Sequence, residues 1–110
     1  MGGMIKHTGI VAFDDPIPDD DLDRFLSEME AVVTASGNVE SFIWRPAIEV
    51  PLGDHPVPLM VASAVVEITF ANVDLLAADQ GSPPPEFFEL IKRWQAERPF
   101  KVVSVNHEPF

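Results

Sequence analysis

The chain has 110 residues, 46% of them apolar, and a formal net charge of −11 from 18 acids against 7 bases. That length suits one domain over 1–110, and the apolar fraction suits a packed core rather than a disordered chain. So acidic a surface repels phosphate, which sets it against nucleic acid and anionic membranes, and a chain without cysteine has neither a disulfide framework nor thiol chemistry.

Met1 to Gly3 read as a loose end or cloning remnant. The opening MGGMIKHTG has no apolar core of a signal peptide. No apolar run reaches the roughly 18–20 residues that span a bilayer. The cytoplasm is the expected compartment. Ile5 to Phe13, IKHTGIVAF, alternates as a strand, with His7, Gly9, Val11 and Phe13 on one face. Six aspartates then crowd between Asp14 and Asp23. Their spacing is not that of a calcium loop; acids suit the partial positive charge of a helix N-terminus. Leu22, Phe25, Leu26, Met29, Val32 and Val33 recur at helical spacing, and Gly37 follows as a C-terminal cap.

Val39 to Arg45 reads as a second strand with Glu40, Phe42 and Trp44 on one face. A proline-rich loop containing His55 leads to a third strand, Met60 to Phe70, which carries Val66 and Ile68 on its helix-facing side. Asn72 is placed to cap a short helix, VDLLAADQ, that stops at Gly81. A longer helix follows with Phe87, Phe88, Leu90, Ile91 and Trp94. Phe100 to His107 is the last strand. The order βαββαβ predicts an α+β, ferredoxin-like antiparallel sheet with its helices on one face. The other face would carry Thr8, Ile10, Ala12, Ser41, Ile43, Ser63, Val65 and Thr69. That is too apolar to rest in water, so a second copy is expected to cover it, giving a homodimeric α+β barrel.

Three segments resemble the stress-responsive A/B barrel (Dabb) family. IKHTGIVAF is similar to its opening strand, NVESFIWR to its second, and VVEITF to the end of its third. The resemblance implies a dimeric α+β barrel and, from a plant cyclase of the family, cofactor-independent ring closure of a polyketide between sheet and helices. That enzyme relies on a His-Pro-x-His motif and a tyrosine. Here the motif positions fall on Ser82-Pro83-Pro84-Pro85 and the tyrosine position near Asp79, and the chain has no tyrosine at all. Only His7 carries over.

The segment GSPPPEFF enters the long helix through three prolines. A residue before proline avoids the α conformation, so Ser82, Pro83 and Pro84 should be extended, with Pro85 first in the helix. The first free N–H groups would belong to Glu86 and Phe87, with no side chain to cap them. Either solvent or a ligand's anionic group would meet them, and the prolines make a stiff rim.

His7, on an inward apolar face, is the candidate acid/base, because imidazole can both take and give a proton in the physiological range. It can equally be a structural histidine. Gly9 leaves room beside it. Val11, Phe25, Met29, Phe42 and Trp44 are the first candidates for holding an apolar substrate. Val66, Ile68, Phe87, Phe88, Ile91 and Trp94 are the others, and all of them fit ordinary core filling equally well. Three histidines without His-x-x-x-His spacing make no metal site, and no cofactor motif is present. Two readings stay open: a cofactor-independent cyclase or lyase acting on a hydrophobic small molecule, and a non-catalytic dimeric stress-response or ligand-binding protein.

Overall fold

The computed structural model describes residues 3–51, 53–54, 56–57 and 61–110. The elements run β1 (Ile5–Phe13), α1 (Asp19–Thr34), β2 (Ser41–Pro46), β3 (Ala64–Phe70), α2 (Val73–Gly81), α3 (Pro85–Glu97) and β4 (Phe100–His107). The strands form one antiparallel sheet in the order β2-β3-β1-β4. This is the ferredoxin-like layout expected from the element order.

Local chemistry explains most of the boundaries. Three acids fill the first turn of α1, which has no side-chain cap at Pro18. Gly37 turns the chain out of α1 with φ 79°, a conformation that favours glycine. Asn72 caps α2 by accepting a 2.9 Å hydrogen bond from the Leu75 N–H. Pro84 is extended (φ −68°, ψ 154°) and Pro85 is the first helical residue of α3. One expectation is corrected there. The Phe87 N–H is not free, because it donates to the Pro84 carbonyl at 3.0 Å in a tight first turn.

The second strand starts two residues later than its sequence pattern indicates, and the third is shorter. Ser63 stops the regular ladder of β3: its hydroxyl accepts from the Phe13 N–H at 3.0 Å, while its own N–H donates to the Val11 carbonyl at 2.7 Å. The predicted start at Met60 lies outside the described residues, as does His55.

The core lies between sheet and helices and is densest toward the C-terminal end of β1. Phe25 is fully buried there, with Phe13, Trp94 and Phe100 at ring-centroid distances of 5.3, 5.2 and 5.0 Å. Edge-on packing of this kind adds to the burial energy of each ring. On the far face of the sheet, Ile10, Ile43, Val65, Val103 and Val105 are exposed. That face also has a polar corner. The Lys6 ammonium donates to Thr69 Oγ1 at 2.8 Å and pairs with Glu67 at 3.1 Å, which is how Thr69 comes to be buried.

Candidate active site

At the opposite end from the aromatic cluster the helix layer stops short of the sheet. α1 ends at Thr34, and residues 82–84 separate α2 from α3. The gap is a pocket of about 240 Å³. Its floor is the sheet, through His7 of β1 and Ile68 and Phe70 of β3. Val32 and Val33 from the last turns of α1 make one wall, and Asp79 and Gln80 from the end of α2 make another. Pro83, Pro84 and Phe87 form the rim.

Strand periodicity brings His7 to this place. It sits opposite Ile68 in β3 and opposite Asn106 in β4, all three on the helix side. His7 Nδ1 lies 2.6 Å from Asn106 Oδ1 and 2.9 Å from Gln80 Nε2. Gln80 Nε2 also lies 3.2 Å from Asn106 Oδ1, and Asn106 Nδ2 donates to Gln80 Oε1 at 3.2 Å. One ring nitrogen cannot donate to the first amide and accept from the second. The short contact to a carbonyl oxygen assigns Nδ1 as the protonated nitrogen, and the two amides then bond each other reciprocally. Nε2 is left with its lone pair, and among the described residues it has no hydrogen-bond partner. Such a ring is arranged to accept a proton.

Asp79 is the one carboxylate on the pocket wall. It is partly buried, and among the described residues it forms neither an ion pair nor a hydrogen bond. No lysine or arginine lines the pocket.

Of the residues singled out from sequence, the structure gathers His7, Ile68 and Phe87 around the pocket. Val11, Phe25, Phe42, Val66 and Trp94 are buried in the core, and Met29, Trp44 and Ile91 pack against it. Gly9 is buried and does not line the pocket; a Cβ there would meet only Val102 Cγ1, at an ordinary 3.6 Å. Phe88 is 59% exposed and faces away from the core. The inward stripe of α3 runs through Phe87, Leu90, Ile91 and Trp94, and Phe88 lies about 100° round the helix from Phe87, outside that stripe. Asn106 and Gln80 were not apparent from sequence. Asn106 has the parity of an inward residue on the last strand, but its nearness to His7 depends on knowing that β4 lies beside β1.

No family model matches the sequence, and no curated protein matches it. Solved structures do. A Dabb family protein with a ferredoxin-like fold from Mesorhizobium loti superposes with a TM-score of 0.66 at 16% identity, covering 98% of each chain. The chain shares that protein's ferredoxin-like fold. The hydroxynitrile lyase of Passiflora edulis shares it, with a TM-score of 0.68 at 15% identity over 100% of this chain and 99% of that one. So does a dimeric ferredoxin-like protein of unknown function from Thermobifida fusca, with a TM-score of 0.67 at 13% identity over 98% and 92%. The fold thus accommodates a lyase as well as proteins without a known reaction, and the site must supply the functional argument.

Proposed function

We propose that this protein is a cofactor-independent enzyme of the lyase type, acting on a small hydrophobic molecule in the His7 pocket. The observation that carries the reading is His7 itself, with Nδ1–H directed to Asn106 and the Nε2 lone pair unengaged. Nε2 would take a proton from the bound substrate as a bond to carbon breaks or forms, and return it to the leaving fragment or product. The imidazolium formed in between is stabilised by the Asn106 carbonyl, which accepts from Nδ1–H throughout. Ile68, Phe70, Phe87 and the rim prolines would hold the apolar part of the substrate and exclude water. That a hydroxynitrile lyase shares the fold is consistent with this chemistry.

The working unit is proposed to be a homodimer joined through the exposed sheet face. Ile10, Ile43, Val65, Val103 and Val105 give that face the apolar character of an interface. The likeness to a structure described as dimeric agrees with it. A second reading, a dimeric small-ligand binder without catalysis, is favoured by Ser82-Pro83-Pro84-Pro85, a segment with no proton-transferring side chain beyond a serine hydroxyl.

The two readings separate in an assay of proton transfer. A panel of small hydrophobic carbonyl compounds and cyanohydrins is incubated with the protein in D₂O, and carbon-bound deuterium and cleavage are followed by NMR. The enzymatic reading expects turnover of at least one compound, and a loss of about 10²–10⁴-fold in His7→Gln, the range attributed to general acid–base catalysis. Equal activity in wild type and His7→Gln would remove His7 from the chemistry.

A further inference from the structure

The wall of the pocket carries a specific charge preference. The chain has 7 lysines and arginines, and none of them lines the pocket. The charge on the wall is the carboxylate of Asp79, partly buried and without an ion-pair partner among the described residues. Around it the lining is apolar apart from His7 and Gln80, and it includes the Phe87 ring. A carboxylate on the wall of a mostly apolar pocket, with no lysine or arginine beside it, is complemented by a ligand that brings the counter-charge. A ligand anion would meet Asp79 and the field of a chain of net charge −11.

Size narrows the class. A dry cavity of about 150 Å³ accepts benzene. A pocket of about 240 Å³ therefore has room for one ring with a short substituent.

We propose that the His7 pocket selects a single-ring apolar molecule carrying a protonated amine, with the ammonium on Asp79 and the ring between Ile68, Phe70 and Phe87. The proposal rests on the reading of this pocket as the functional one, but not on catalysis.

Three probes of matched shape test it: 2-phenylethylamine, 2-phenylethanol and phenylacetate. Each is titrated into ¹⁵N-labelled protein and into Asp79→Asn, a near-isosteric change at a partly buried helix position. The expected result is amine binding about 10-fold tighter than the alcohol, the factor that corresponds to one charge-assisted hydrogen bond. Phenylacetate should bind weakest, shifts should centre on His7, Gln80 and Phe87, and the amine preference should vanish in Asp79→Asn. Three outcomes overturn the proposal: alcohol or phenylacetate binding as tightly as the amine, an amine preference that survives in Asp79→Asn, or no binding by any of the three. Because binding alone is read, failure here leaves the proton-transfer assay of His7 a separate question. A protein that binds the amine through Asp79 but turns over nothing would retain this inference and lose the enzymatic one.

Discussion

His7, Asn106 and Gln80 form a three-member polar set beside an apolar pocket, and the proton arrangement follows from counting donors. Asn106 Oδ1 accepts twice, from His7 Nδ1–H and from the Gln80 amide. Replacing Asn106 by Ala removes the partner of Nδ1–H and frees the ring to turn. Turnover of an identified substrate is expected to fall by on the order of 10- to 100-fold, as small misplacements of reacting groups do. Ligand affinity should change little, since Asn106 does not line the pocket. Steady-state kinetics on the variant would show the loss in kcat rather than KM. Gly9 makes the opposite kind of residue-scale case. A Cβ there meets only Val102 at 3.6 Å, so Gly9→Ala should raise stability by about 0.5–1 kcal/mol, the usual cost of glycine inside a strand. Urea unfolding would show it as a higher midpoint at unchanged slope, and a destabilised variant would mean the Val102 side chain cannot accommodate the methyl group.

The elements divide into those whose place is written in local pattern and those whose place depends on partners. β1 was readable residue for residue, because a period of two puts His7 and Val11 on one side and Ile10 on the other. Asn72 and Gly37 were readable as caps, since few residues do those jobs. The proline entrance to α3 was readable because stereochemistry restricts it. What pattern could not separate was core from pocket. Phe25, Trp94 and Phe87 have the same signature on their helices, yet the first two are buried in the core and the third lines the pocket rim. The difference lies in where the helix layer ends over the sheet, which is a tertiary fact. Two changes test these elements. Asn72→Ala should cost about 1 kcal/mol by uncapping α2. Pro84→Gly should cost about 1 kcal/mol through a looser unfolded chain. It should also weaken ligand binding by softening the rim, whereas Asn72→Ala should not. Calorimetric binding on the two variants at matched residual stability separates a rim effect from a general one.

At the scale of the molecule, one sheet face is covered by helices and the other presents aliphatic side chains. Proteins of this size gain from covering such a face. Sedimentation equilibrium is expected to give twice the 12.1 kDa chain mass. Ile10→Lys, which would place an unpaired charge at the centre of the contact, should move the species toward the monomer. A wild-type monomer at micromolar concentration would contradict the dimer. The pocket, in contrast, is assembled within one chain, from β1, β3, α1, α2 and the entrance to α3, and β4 reaches it through Asn106. These elements together hold the His7 ring with Nδ1–H on Asn106 and Nε2 free. The most direct measurement is a long-range ¹H–¹⁵N correlation spectrum of the histidine rings, recorded with the imidazole neutral and assigned to His7 through His7→Gln. The expected spectrum shows Nδ1 as the protonated nitrogen and Nε2 as the bare one, with Nε2 responding when ligand is added. A ring protonated at Nε2, or one exchanging freely between the two forms, would contradict it.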